Sequence, residues 1–218
     1  MERDELVKKY NIDIKKLEDE QIKLAKQLDL KDKINFSLAD KFGAIETVFV
    51  KNKILCCIVV CDKNYEILDR AYVFDKVVFP YIAGFRDYRE LSAMIGAYFK
   101  LNEKPDVVFI QGQGIIHPRL GLASHFSLSV GVPSIGVSNS IIDCKIKGED
   151  IFSKGKKTGK VLISKTQSKP MYISPGDQIS LDTAYGLCQR FINLPHKLPE
   201  PMHLAGKYSR EVKKELGA

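Results

Sequence analysis

The run from Ile110 to His125, IQGQGIIHPRLGLASH, places three glycines, a His-Pro-Arg and a second histidine directly behind a short apolar segment, DVVF. Loops of this kind carry binding and catalysis out of proportion to their length. Gly112 and Gly114 let the backbone turn sharply and approach a ligand closely. The amides there, and those at the start of the next helix, suit a phosphate. His117, Arg119 and His125 are candidates for phosphate contact or proton transfer, and His125 equally suits a satisfied core position. No P-loop lysine follows and the dinucleotide-binding glycine spacing is absent, which disfavours a nucleotide-cofactor fold.

Three other places hold residues that can do chemistry. Asp40 ends the run NFSLAD, where its carboxylate suits either a cleft or a solvated turn. In FPYIAGFRDYRE, Pro80 to Phe85 form an aromatic-bearing loop ahead of a helix whose first turns carry Glu90. An exposed tyrosine such as Tyr81 can stack on bases or wedge between them, and can also simply close a core. In SPGDQISLDTA, Asp177 precedes a helix with Ser180 as its cap, and its carboxylate suits either the same cleft or turn chemistry. Between these lies KIKGEDIFSKGKKTGKVLISKTQSK, a lysine-dense, glycine-punctuated stretch. It suits a phosphate backbone, or equally a flexible surface loop.

The surrounding elements must position these groups. DELVKKYNIDIKKLEDEQIKLAKQLDL has apolar residues at helical spacing and reads as one or two amphipathic helices in an N-terminal segment, residues 1–30. KINFSLAD reads as a strand. AIETVFV, ILCCIVVCD and YEILDRAYVF follow as an antiparallel meander, with a turn in VKNKI. DYRELSAMIGAYFKL is a helix. PDVVFI and PSIGVS are apolar strands flanking the helix GLASHFSLSVG, a parallel βαβ unit from Asp106 to Ser138. Two short β runs, KVLIS and PMYIS, a helix in SLDTAYGLCQRFI and a charged tail, SREVKKELGA, complete an α/β chain with a mixed sheet.

A chain of 218 residues suffices for one well-buried core, with no Pro-, Gly- or Ser-rich linker to divide it, so a single domain over 1–218 is expected. No apolar run reaches membrane-spanning length, and the N-terminus is charged with no apolar signal region, which argues for the cytoplasm. The formal charge of +7 fits a polyanionic partner as well as a soluble lysine-rich surface. None of the five cysteines forms a CxxC pair, so buried free thiols are expected rather than a zinc site or disulfides.

Taken together, PYIAGFRDYRE, GQGIIHPRLGLASH, GVPSIGVS and SPGDQISLDTA with LPEPMHLAGKYSRE resemble the endonuclease V family, in order and spacing from about Ile34 to the tail. The resemblance implies a ribonuclease H-like fold, a five-stranded mixed sheet flanked by helices. It implies cleavage of inosine-containing DNA or RNA, one phosphodiester beyond the lesion on its 3′ side, by a monomer. It also implies Mg²⁺ or Mn²⁺ held by acids from separate elements. Hard cations take oxygen ligands, activate water and neutralise phosphate charge. By position, Asp40 matches the first metal aspartate, Glu90 the family glutamate and Tyr81 the tyrosine that wedges into the duplex. Tyr81, Ile82, Gly84, Gly112, Gln113, Gly114, His117 and Asn139 fall in the implied nucleic-acid-binding regions.

Several positions depart from the family pattern. Gln111 stands where the family has an aspartate, and Gln113 stands where it has a histidine. Asn139 replaces a lysine, Asp177 a histidine and Ala83 a proline. A glutamine oxygen can touch a metal but brings no charge. Two expectations follow. In one, Asp177 supplies the lost carboxylate to a metal shared with Asp40 and Glu90, and the chain cleaves, with Gln111 still in the catalytic site. In the other, the chain binds nucleic acid through the wedge loop and lysines without efficient cleavage.

Overall fold

The computed structural model describes residues 3–217. Two N-terminal helices, α1 (Arg3–Lys9) and α2 (Ile14–Ala25), precede a loop that reaches the first strand. The meander follows as β1 (Phe42–Val50), β2 (Lys53–Cys61) and β3 (Ile67–Lys76), then α3 (Arg86–Phe99). The βαβ unit is β4 (Val107–Gln111), α4 (Leu122–Val130) and β5 (Ser134–Ser138). Beyond it come β6 (Cys144–Lys147), β7 (Asp150–Ser153), β8 (Lys156–Leu162), β9 (Met171–Asp177), α5 (Leu181–Arg190) and α6 (Glu200–Glu215).

The strands form one sheet in the order β3-β2-β1-β4-β5-β9-β8-β7-β6. β1, β4 and β5 are parallel, and the remaining neighbours are antiparallel. Five of these strands are the ones the meander and βαβ patterns predict. The sheet has nine, not five, because β9 pairs with β5 and three further strands continue outward. The lysine-dense stretch supplies β6, β7 and β8. Its hairpin closes on Lys154 and Gly155, both at positive φ, between the paired Ser153 and Lys156. A two-residue turn with positive φ at both positions matches the natural strand twist.

Helices cover both faces. On one, Met94, Ala97 and Phe126 from α3 and α4 pack on Ile45, Ile58, Val108 and Ile110. On the other, Tyr185, Met202 and Ala205 from α5 and α6 pack with Phe191 on Phe42, Phe109, Ile135 and Ile173. α6 is a 16-residue helix where the sequence suggested only a charged tail. Its apolar stripe of Met202, Ala205 and Val212 is buried, and the charges between them face outward. Cys56, Cys57, Cys61 and Cys188 are buried free thiols and Cys144 is half-buried.

Two expectations near the site fail. KINFSLAD is not a strand. The Asn35 side chain accepts from the Ser37 amide and nucleates a single 3₁₀ turn, Phe36–Leu38, so Asp40 sits in a loop before β1. Gly114 in the loop after β4 serves the fold rather than a ligand's approach. A Cβ on Gly114 would lie 2.0 Å from the Pro175 carbonyl oxygen of β9, so the loop passes flush against that strand.

Candidate nucleic-acid interface and acidic edge

The C-terminal ends of parallel strands are where open α/β sheets collect ligands. Here that edge carries Gln111 at the end of β4 and Ser138 at the end of β5. Ile45 pairs with Ile110, so Glu46 and Gln111 come next in register, side by side on one face of the sheet. α3 begins beside them and brings Arg86, Asp87 and Glu90.

Glu90 is buried, yet its carboxylate is fully engaged. Arg86 donates to both oxygens, through Nε to Oε1 and through Nη2 to Oε2 at 2.9 Å, and the Thr47 hydroxyl adds a 2.6 Å bond to Oε2. A forked guanidinium on a carboxylate is a strong, oriented pair. Burial pushes the Glu46 carboxyl above its ordinary range. Arg86 and Arg210 oppose that rise, and the neighbouring Glu90 charge adds to it. Arg210 stands one turn beyond Gly206 on α6, with Nη1 3.6 Å from where a Cβ on that glycine would sit.

The other two acids of the expected metal set lie elsewhere. Asp40 is exposed at the start of β1, where its amide and that of Lys41 donate to Asp106 at 3.0 Å. Asp177 ends β9 opposite Ser134, the first residue of β5, at the same far end of the sheet. Its buried carboxylate accepts from the Asp29 amide at 2.7 Å and ties the N-terminal segment to β9. Among the described residues, no metal-competent group of three or more His, Cys, Asp or Glu side chains contains Asp40, Glu90 or Asp177. The expectation that these three share an ion, with Asp177 replacing the carboxylate missing at 111, is therefore corrected. Register separates them by the length of the parallel strands.

The implied nucleic-acid set is brought together. Tyr81, Ile82, Gly84, Gly112, Gln113 and His117 all line one cavity beside the acidic edge, with Arg86, Ser138 and Ser140 among its other lining residues. Gly114 lies beneath it against β9, while Asn139 follows β5 between two lining serines. Tyr81 projects at the rim with 65% of its surface exposed, so it does not close the core, whereas Phe85 does. Gln113 donates to the Ser140 carbonyl at 3.0 Å. His117 accepts from the Arg119 amide through Nδ1 at 3.2 Å, which leaves Nε2 to carry the ring proton. Burial, helped by Arg119 and opposed by Asp87, lowers its pKa to about 4, so the ring is neutral near pH 7.

A buried polar network braces the cavity from behind. The Gln21 amide of α2 donates to Gly84 O and to Asp87, and its oxygen accepts from Arg119 Nε at 2.7 Å. His125 also pairs with Asp87 at 2.8 Å, so it is a satisfied core histidine rather than a ligand contact. At the start of α4 the Ala123 amide donates to Gln113 O at 3.1 Å rather than to a phosphate.

Sequence reasoning missed Glu46, Arg86, Arg210 and Gln21. Glu46 had a signal: it is the lone acid in the otherwise uncharged strand run FGAIETVFV, on the strand next to the one ending in Gln111. The arginines and Gln21 had none, because their meaning comes from partners distant in sequence.

A mixed α/β sheet with a cavity and a rim tyrosine at the C-terminal edge of its parallel strands has the architecture at which such sheets collect ligands. The chain matches the family model described as Endonuclease V over residues 22–207. It is 39% identical over 183 residues to Endonuclease V of Thermosipho melanesiensis, covering 80% of each chain. It is 35% identical over 202 residues to that of Dictyoglomus turgidum, covering 88% of this chain and 87% of the relative. Among solved structures, the catalytic domain of human Endonuclease V superposes with a TM-score of 0.84 at 24% identity, over 94% of this chain and 99% of that one. Ciona intestinalis Endonuclease V, in complex with a 24mer DNA containing an inosine followed by a ribo-adenosine, superposes at 0.82 with 24% identity, over 93% and 98%. The chain belongs to the Endonuclease V family.

Proposed function

We propose that this protein is an inosine-directed nucleic-acid endonuclease, a phosphodiester hydrolase that acts on inosine-containing DNA or RNA and cuts 3′ of the lesion in DNA repair. The observation that carries the reading is the cavity. Six positions drawn from two separate family motifs converge on it, beside two carboxylates at the sheet edge. Enzymes that read a single base take it out of the stack into such a pocket. Tyr81 at the rim fills the gap left in the strand. The neutral His117 Nε2–H and the Gln113 amide supply polar contacts to the extruded base. The basic hairpins β6–β8 run on from the cavity wall, where Lys145, Lys147 and Lys154 line a recess with Phe152 and neutralise phosphates. The fold is ribonuclease H-like in its β3-β2-β1-β4-β5 portion, as one domain in which α2 docks through Gln21. The protein works as a monomer in the cytoplasm. No helix among the described residues is long and apolar enough to cross a membrane.

The family's divalent cation, Mg²⁺ or Mn²⁺, has oxygen donors at this edge: Glu46, Glu90 and the Gln111 amide. They suit a hard cation in type. They fit one when Arg86 releases Glu90, because both Glu90 oxygens are otherwise taken. When bound, the ion supplies charge neutralisation at the scissile phosphate and a more acidic water. The chain's own residues bind the strand, hold the base and exclude water from the cavity, while Arg86 and Arg210 offer positive charge to phosphate oxygens.

The Arg86 fork on Glu90 favours a second reading: recognition of inosine-bearing strands without efficient cleavage. One assay separates the two. Inosine-containing DNA and RNA strands are incubated with the natural protein and with Gln111→Asp, with and without Mg²⁺ or Mn²⁺. Metal-dependent cutting by the natural protein supports the endonuclease. Cutting by the variant alone supports binding without cleavage, and no binding of inosine strands by either form refutes both.

A further inference from the structure

His196, Glu200 and His203 stand apart from the cavity and the acidic edge, and each offers a ligand atom within 4.8 Å of the other two. We infer that this trio binds a borderline divalent metal ion of the zinc class, clamping the loop before α6 to the first turns of that helix. The sequence places the ligands suitably. Glu200 and His203 are three apart on α6 and share a face, and His196 lies four residues before Glu200. The loop is held in place by its own bonds: His196 N to Asn193 O at 2.9 Å, Lys165 Nζ to Pro195 O at 2.9 Å, and a bridge between Ile192 and Pro199.

The local chemistry favours metal over simple packing. Glu200 is a buried carboxylate, 6% exposed, whose Oε2 meets His196 Nδ1 at 2.8 Å. The two imidazoles lie stacked, centroids 3.5 Å apart and planes within 12°. His203 makes no hydrogen bond through its ring nitrogens with any described residue. Two imidazole nitrogens and one carboxylate oxygen match a borderline metal with one open position, whereas Mg²⁺ prefers an all-oxygen set. Tetrahedral bonds of about 2.0–2.2 Å put ligand atoms roughly 3.4 Å apart, so the trio contracts by an ångström or so and the stacked rings splay.

The site is independent of the acidic edge. Glu200 sits by Cys61, whose thiol its charge pushes further up, and Cys61 pairs with Phe42 at the start of β1. Glu46 lies farther along β1, facing Arg210, which is ten residues along α6 from Glu200.

The protein, stripped of metal with a chelator, is titrated with Zn²⁺ by calorimetry and with Co²⁺ by visible absorption. The expected result is one ion per chain, with the intense Co²⁺ bands of a four-coordinate site and no competition from excess Mg²⁺. His196→Ala and His203→Ala each weaken Zn²⁺ at least about tenfold, and His203→Gln, which keeps polar bulk, does the same. Zn²⁺ raises the unfolding temperature of the natural chain but not of His203→Gln, and Glu46→Gln leaves Zn²⁺ affinity unchanged. Absence of stoichiometric binding, or retention of it by the His196→Ala/His203→Ala double variant, overturns the assignment.

Discussion

Arg86→Ala tests the electrostatics of the acidic edge. Arg86 is bound through two nitrogens to a carboxylate that is 2% exposed, while its own side chain is 40% exposed. Breaking a buried pair from one side costs roughly 3–5 kcal/mol, because a charge stays buried without its partner. Solvent reaches Arg86 and the Thr47 hydroxyl bond remains, so the expected loss falls to about 2–3 kcal/mol. For a chain of this length that lowers the unfolding temperature by roughly 4–12 °C in a calorimetric or fluorescence melt. Adding Glu90→Gln removes the stranded charge and recovers part of the loss. Millimolar Mn²⁺ stabilises Arg86→Ala more than the natural protein, because Glu90 becomes free to join Glu46 as a ligand. An Arg86→Ala melt within about 1 °C of the natural one would refute the claim that this fork neutralises the buried acid. An equal Mn²⁺ shift in both proteins would refute the claim that it blocks the ion.

Three further outcomes are expected. His117 has a folded pKa of about 4 against an ordinary 6.5, so its contribution is fully present above about pH 6.5 and is lost as pH falls toward 4. The linked loss is roughly 3 kcal/mol, and His117→Gln flattens that part of a stability–pH curve measured by urea melts. Tyr81→Ala lowers affinity for inosine-bearing strands by about 1–3 kcal/mol in fluorescence anisotropy and leaves the melting temperature unchanged, since its ring is exposed. Gly114→Ala forces a Cβ against the Pro175 carbonyl at 2.0 Å and costs 1–3 kcal/mol or more in a urea melt, with the loop displaced from β9.

Periodicity sufficed for most of the sheet. The β-rich runs of β1–β3 with their short polar breaks, and the apolar runs of β4 and β5, are local signals, and these strands pair as the patterns require. Of the outer strands, β8 and β9 were legible in part as KVLIS and PMYIS, while β6 and β7 were hidden in the lysine-dense stretch, where lysines occupy the exposed positions of β6. Only Ile151 and Leu162 among the large apolar residues of β6–β8 are buried, and pairing with β9 is a long-range event. The cavity was legible in outline, since Tyr81, Gln113 and His117 lie in motifs whose residue types suit base and phosphate. The acidic edge was not, because an aspartate near a strand start looks like Asp40 whichever end of the sheet it occupies. Parallel pairing decides the end, and Ile45 opposite Ile110 selects Glu46.

The central claim is that the cavity reads inosine. The most direct measurement is anisotropy with matched strands that differ only by one inosine for adenosine, at fixed salt, with and without Mn²⁺. The account predicts tighter binding of the inosine strand, with discrimination reduced by Gln113→Ala and overall affinity falling steeply as salt rises. Equal affinity for both strands, with discrimination appearing under no metal condition, would contradict it.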